Sequence, residues 1–226
     1  MFALFSTLQG KEDSVLPVRA AAEVPATIAY TDRYFARSWS KPQHTTTEAR
    51  AETLGGVQRR LALLFESSPC ILGDSAVSKL ERSLPTLFGH EYRQILTHGD
   101  LSRTNILVNE DTYEITGLID WSLVAILPFG MELDCLFLTT GYMDRGGWHD
   151  YACRSQLHEA FWDEFWSASE VSDNVRRAQI RDMAEQAAKI GAILRYAFRR
   201  NADGSPSQAL VSDGALTWSV AYRLVG

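Results

Sequence analysis

The chain has 226 residues, of which 46% are apolar and 22% are charged, and its formal net charge is −6. These values predict a single globular domain, or a lobe with an appendage, with enough apolar residues for a core. The acidic balance and the lack of a long basic run argue against nucleic-acid binding. No apolar stretch approaches the roughly 20 residues that a membrane helix needs, so no membrane contact is expected.

Three widely spaced cysteines, Cys70, Cys135 and Cys153, show no metal-ligand spacing. A sparse, odd count is typical of reduced thiols in an intracellular protein. The apolar start of the chain is short and lacks the basic residues of a signal peptide. We therefore expect a cytoplasmic protein.

The first half of the chain predicts an irregular arm followed by helices. Prolines interrupt residues 1–27, which predict weak structure. Apolar residues at three- and four-residue spacing then predict helices over 28–40, 46–66 and 74–88. After the third helix the pattern changes, and short strands are expected over 94–97, 105–108 and 114–119.

The second half predicts mainly helices again. Helical spacing of apolar residues is found over 132–142, 155–168 and 173–199, with a last short helix expected over 209–225. We expect loops at Gly141–Asp150 and Asn201–Gln208. The aromatic residues of the 155–168 helix are expected in the core.

Polar residues lie where the three short strands end. Asp100 follows the first strand, Asn105 begins the second, and Asp120 follows the third. A short turn joins the second and third strands, so antiparallel pairing should bring Asn105 and Asp120 to one end of a hairpin. The three side chains are therefore expected to converge.

This set matches the needs of phosphoryl transfer. One carboxylate orients the acceptor hydroxyl and takes its proton, while an asparagine and a second carboxylate hold magnesium. The protein-kinase signature has the same spacing between its catalytic aspartate and its asparagine. Here Gly99 stands where that signature has arginine, and Ile119-Asp120-Trp121 stands where it has D-F-G.

The segments His98–Val108 and Gly117–Ser122 closely resemble the aminoglycoside phosphotransferase and choline kinase-like superfamily. The match extends to Pro128-Phe129-Gly130 and to Leu133-Asp134, an order that is similar to fungal members. It covers about residues 28–200. It implies an α+β protein-kinase-like C-terminal lobe, mostly helical, with a small antiparallel hairpin that carries the catalytic motif.

The resemblance also implies roles for single residues. Asp100 is the implied catalytic base, Asn105 and Asp120 the implied ligands of Mg²⁺ bound with ATP, and Ser102 an implied contact to substrate or phosphate. His98 is expected mainly to hold the loop backbone, although an imidazole could also act as acid or base. Asp134 is expected to be a buried partner of the catalytic loop.

The nucleotide-clamping half of a kinase is not recognisable in the sequence. There is no G-x-G-x-x-G, and none of the four lysines lies in a strand like the kinase V-A-I-K strand. We therefore expect residues 1–27 to be an arm or a remnant of the N-lobe, and 28–226 to be the C-lobe. Such a lobe would expose apolar surface that a partner could cover, so a homo-oligomer is one option.

Three functions remain open from the sequence. The leading hypothesis is transfer of the ATP γ-phosphate to a hydroxyl of a small molecule. The second is a degenerate kinase fold used as an ATP-independent cyclase or isomerase in secondary metabolism, because paired carboxylates can do acid–base work. The third is a catalytically silent binding protein, and the sequence does not name the acceptor.

Overall fold

The computed structural model describes residues 33–67, 74–109, 111, 115–144, 147–202, 204 and 206–211. The predicted arm, residues 1–27, lies outside the described residues, as do residues 212–225 of the predicted last helix. Within the described part, α-helices are combined with short antiparallel sheets. This combination confirms the predicted α+β class.

The helices of the described part form most of the core. They are α1 over residues 33–40, α2 Thr47–Ser67, α3 Asp74–Leu87, α4 Asp134–Thr139, α5 Arg154–Ser169 and α6 Asn174–Tyr196. The predicted bounds of α2, α3 and α5 are confirmed to within one residue at each end. The aromatic residues of α5 lie in the core, as predicted.

The strands of the described part pair in twos, and every pair is antiparallel. The pairs are β1 Gln94–Thr97 with β4 Ala125–Pro128, β2 Ile106–Val108 with β3 Ile115–Leu118, β5 Gly141–Asp144 with β6 Gly147–Asp150, and β7 Phe198–Arg200 with β8 Pro206–Leu210. The predictions of β1, β2 and β3 are confirmed. Strand β4 was not predicted, because it lies in a short, continuously apolar run, which does not distinguish a strand from a helix.

The predictions for the segment after residue 132 are wrong in two respects. Helix α4 ends at Thr139, not at residue 142, and the chain continues directly into β5. The expected glycine-rich loop from Gly141 to Asp150 is the β5–β6 hairpin. Tyr142 lies opposite His149 in this hairpin and stacks on it with ring centroids 5.1 Å apart. Such cross-strand aromatic contacts stabilise a hairpin that glycines alone would not predict.

The end of α6 is also predicted wrongly. The helix ends at Tyr196 rather than at residue 199, and Phe198 begins β7. Phe198 is buried while the next two residues are exposed. Its burial comes from tertiary packing into the core, which helical spacing cannot reveal. Part of the expected loop over 201–208, and the start of the expected last helix, belong to β8.

Helix α6 packs closely against the turn that follows β4. Its N-terminus is capped by Asp173, whose carboxylate accepts a hydrogen bond of 2.7 Å from the Arg176 amide. Gly191 allows the close approach, because a Cβ there would lie 1.8 Å from the Met131 carbonyl oxygen. This contact fixes residues 129–133 relative to the core.

The described part contains no helix that is both long and apolar enough to cross a membrane. Its two cysteines, Cys135 and Cys153, are free thiols. Cys70 lies outside the described residues.

Candidate active site

The site begins with a tight turn at the end of β1. Gly99 has a left-handed backbone with φ of 81°, a conformation that residues with a side chain rarely adopt. A Cβ on Gly99 would also lie 2.1 Å from the carbonyl oxygen of Leu123. Glycine is therefore required here for both conformation and space, and the turn can lie directly against the 3₁₀ turn Trp121–Leu123.

Gly99→Ala should destabilise the fold by at least about 2 kcal/mol, because it adds left-handed strain and a clash with backbone. The matched control is Gly117→Ala. The nearest atom to that new methyl group is Leu107 Cδ1 at 3.6 Å, so a change within about 1 kcal/mol is expected. Urea unfolding of both variants measures the difference, and equal stabilities would contradict the strained turn.

Asp100 and Asn105 are hydrogen-bonded to each other. The Asn105 amide nitrogen Nδ2 donates to the Asp100 carbonyl oxygen at 2.8 Å and lies 3.4 Å from the carboxylate oxygen Oδ2. These bonds close the loop between β1 and β2. They use the nitrogen of the amide, so its oxygen Oδ1 is left as the atom that could bind a cation.

Asp120 lies at the same end of the hairpin as Asn105. The register pairs Ile106 with Leu118, and the Ile119 amide donates to the Asn105 carbonyl oxygen at 3.0 Å. Asp120 follows with a left-handed backbone, φ 61° and ψ 63°, which aspartate tolerates better than most residues. Its carboxylate is exposed and accepts a hydrogen bond from the Ser122 hydroxyl at 2.8 Å.

His98 is completely buried behind the loop. Its Nδ1 accepts from the Asp100 amide at 3.3 Å, and its Nε2 lies 2.7 Å from the Ile119 carbonyl oxygen. This arrangement fits a neutral imidazole protonated at Nε2. Both ring nitrogens are thus occupied by backbone groups, which favours a role in positioning Asp100 over acid–base catalysis.

Ser102 is half-buried in the loop after Asp100. Its hydroxyl lies 2.8 Å from the Thr104 hydroxyl, and either one could be the donor. Ser102 thus lies on the loop between β1 and β2, where the resemblance implies a contact to substrate or phosphate.

Glu132 is a site residue that the sequence analysis missed. Its carboxylate accepts hydrogen bonds from the amides of His98 at 3.0 Å and Gly99 at 2.7 Å, and from the Tyr34 hydroxyl at 3.4 Å. Burial raises the pKa of Glu132, although the two amides and Arg195 act in the opposite direction. Glu132 and Asp134 are the two acidic residues inside the otherwise apolar run Pro128–Leu136, and this was the available sign in the sequence.

The expectation for Asp134 needs correction. The residue is buried, as predicted, but the catalytic-loop amides bind Glu132 instead. Asp134 pairs with Arg195, whose Nε lies 3.0 Å from Oδ2. Burial raises the pKa of Asp134 to about 7, even though the Arg195 charge lowers it. The other end of the Arg195 side chain approaches the catalytic loop, at Asp100.

Two arginines that had no predicted role lie beside Asp100. Arg195 Nη1 and Arg200 Nη2 are each 3.7 Å from the Asp100 oxygen Oδ1. Arg195 comes from the last turn of α6 and Arg200 from the end of β7. Their side chains converge although they lie about a hundred residues after the loop, so local patterns could not reveal the contact.

A comparison with known protein families matches residues 18–156 to the phosphotransferase enzyme family, APH. The chain belongs to this family. The matched region covers more than half of the chain and includes the loop from His98 to Asn105 and also Asp120. A comparison with curated proteins finds no match.

In this phosphotransferase-family chain, Asn105 and Asp120 are the residues expected to bind magnesium. The oxygen Oδ1 of Asn105 and the exposed carboxylate of Asp120 would supply hard oxygen donors at one end of the hairpin. Among the described residues, no three His, Cys, Asp or Glu side chains group as metal ligands. Few protein ligands and several waters are typical of magnesium, so the donor set fits this ion.

Proposed function

We propose that this member of the phosphotransferase family moves the γ-phosphate of ATP to a hydroxyl group of a small molecule. The observation that carries the proposal is the hydrogen-bonded pair of Asp100 and Asn105, with Asp120 at the same end of the hairpin. Positioning and charge stabilisation dominate phosphoryl transfer, so a rigid loop of this kind is what the chemistry needs.

In this proposal each residue has a separate task. Asp100 accepts a hydrogen bond from the acceptor hydroxyl and takes its proton as the phosphate is transferred. Asn105 and Asp120 hold the magnesium, which supplies positive charge to the phosphates when it is bound. His98 and Glu132 keep the loop in place from behind.

An exposed apolar surface next to these residues supports nucleotide binding. Leu107 and Ile119 are large apolar residues that are 45% and 39% exposed. Their neighbours Ile106 and Leu118 pack against the core instead. We infer that these two exposed side chains contribute to the surface that contacts the planar base.

Mg·ATP should stabilise the full chain against heat. Saturation at a hundred times the dissociation constant contributes about 2.7 kcal/mol of unfolding free energy. Asp120→Asn should lose most of this stabilisation because it removes the charged magnesium ligand, while asparagine keeps the left-handed backbone. The measurement is a thermal shift with and without Mg·ATP.

The matched control is Asp111→Asn, an exposed aspartate in the turn between β2 and β3, which should respond like wild type. Absence of any shift in the wild type would overturn the proposal. That result would favour the ATP-independent enzyme or the binding protein instead.

A further inference from the structure

Arg200 is an exposed cation that lies beside the proposed base. It lies at the end of β7, and its Nη1 donates a hydrogen bond of 3.0 Å to the Gly204 carbonyl oxygen. Its Nη2 lies 3.7 Å from Asp100 Oδ1, which is longer than a hydrogen bond. The β7–β8 hairpin therefore holds the Arg200 guanidinium next to Asp100, although Nη2 is too far from Asp100 Oδ1 for a hydrogen bond.

Arg195 approaches the same oxygen but is not equivalent. Its side chain is 11% exposed against 34% for Arg200, and its Nε is paired with the buried Asp134. The Asp134 carboxylate, which lies behind the loop, thus balances the charge of Arg195. Arg200 is the arginine that an acceptor entering from solvent would meet.

The acidic residues behind the loop cannot attract a cationic acceptor. Glu132 and Asp134 are 2% and 0% exposed. Glu132 is bound to the loop amides and Asp134 to Arg195. Asp120 is exposed, but the proposed function assigns its charge to magnesium. Among the described residues, an acceptor hydroxyl at Asp100 would therefore have the Arg200 guanidinium as a charged neighbour besides Asp100 itself.

We propose that Arg200 selects acceptors that carry an anionic group, a carboxylate or a phosphate, next to the reacting hydroxyl. This inference rests on the proposed function, since it assumes that the hydroxyl binds at Asp100. A planar guanidinium matches carboxylate and phosphate oxygens in geometry as well as charge. An acceptor with an ammonium group beside its hydroxyl, such as choline, would be repelled.

The test uses four small probes with the full chain: glycerate, glycerol 3-phosphate, glycerol and choline. Calorimetry without ATP measures binding, and a coupled assay with Mg·ATP measures phosphate transfer. Glycerate, glycerol 3-phosphate or both should bind about ten- to a hundredfold more tightly than glycerol, as expected for a hydrogen bond between charged groups. The two anions distinguish a carboxylate from a phosphate acceptor.

Arg200→Met should remove this preference and raise KM for the anionic acceptor, so that glycerate and glycerol 3-phosphate bind no more tightly than glycerol. Arg200→Lys keeps the charge and should retain part of the preference. The control is Arg82→Met, an exposed arginine whose Nε bonds the Ser78 carbonyl oxygen within its own helix. It should behave like wild type.

Equal binding of glycerol and the anions, or no binding of any anionic probe, would overturn the inference. So would an anion preference that survives in Arg200→Met. Failure of the proposed function looks different: anions would still bind through Arg200, but Mg·ATP would neither stabilise the chain nor be consumed. Phosphate transfer to choline that does not depend on Arg200 would contradict this inference but would agree with the proposed function.

Discussion

Asp100→Asn is expected to lower the rate of phosphate transfer about a hundred- to ten-thousandfold, the usual contribution of a positioned general base. Asparagine has the same shape as aspartate but cannot take the proton of the acceptor hydroxyl. The main bond that closes the loop runs from Asn105 to the Asp100 carbonyl oxygen at 2.8 Å, and the substitution leaves it in place. Binding of Mg·ATP should therefore persist while kcat collapses.

Steady-state kinetics with an identified acceptor, together with a thermal shift in Mg·ATP, measure the two effects separately. Asp111→Asn serves again as the control, because it makes the same chemical change at an exposed turn. Transfer at the wild-type rate in Asp100→Asn would remove Asp100 from the mechanism. Loss of Mg·ATP binding together with the rate would show that the loop itself had changed.

Arg195→Met is expected to destabilise the protein by about 3–5 kcal/mol, the cost of leaving one partner of a buried ion pair alone. Asp134 is completely buried and Arg195 Nε lies 3.0 Å from it. Methionine fills a similar volume without supplying charge, so Asp134 would be left without its counter-ion. Chemical denaturation measures the loss.

The loss should depend on pH. Burial raises the pKa of Asp134 from 3.8 to about 7 in the folded protein. A carboxyl with a raised pKa contributes stability that is fully present below its unfolded pKa and is lost as pH rises through its folded pKa. Arg195 lowers this pKa, so its removal should extend the fall in stability to pH values above about 7, where the wild-type contribution has levelled off.

The double variant Asp134→Leu, Arg195→Met provides the control, because an apolar pair can replace a buried ion pair at little cost. It should recover most of the stability and show a weaker dependence on pH. If Arg195→Met were as stable as wild type at pH 8, the ion pair of Asp134 and Arg195 would not stabilise the fold.

The helical periodicity and the strand–loop–hairpin order were sufficient to predict α2, α3, α5 and β1 to β3. Each of these elements has an apolar face that repeats within one short window. The closeness of Asn105 to Asp120 was also predictable, because a hairpin with a short turn must bring its two ends together. The fungal subtype and the roles of Asp100, His98, Ser102, Asn105 and Asp120 stay predictions.

The supports of the site were not predictable in the same way. Glu132 holds the loop amides, although the family resemblance directed attention to Asp134. Arg195 and Arg200 reach Asp100 because α6 packs against the turn after β4 and the chain then reverses in the β7–β8 hairpin. Neither contact leaves a local pattern.

The amino-acid sequence alone was therefore enough to predict the family, the secondary structure around the motif and the polar residues that the motif carries. Which carboxylate holds the loop and which charges surround Asp100 depend on packing between segments about a hundred residues apart. Local spacing reports which face of an element is apolar, but it cannot report what that face meets. Arg195 and Arg200 converge on Asp100 because of packing between such distant segments.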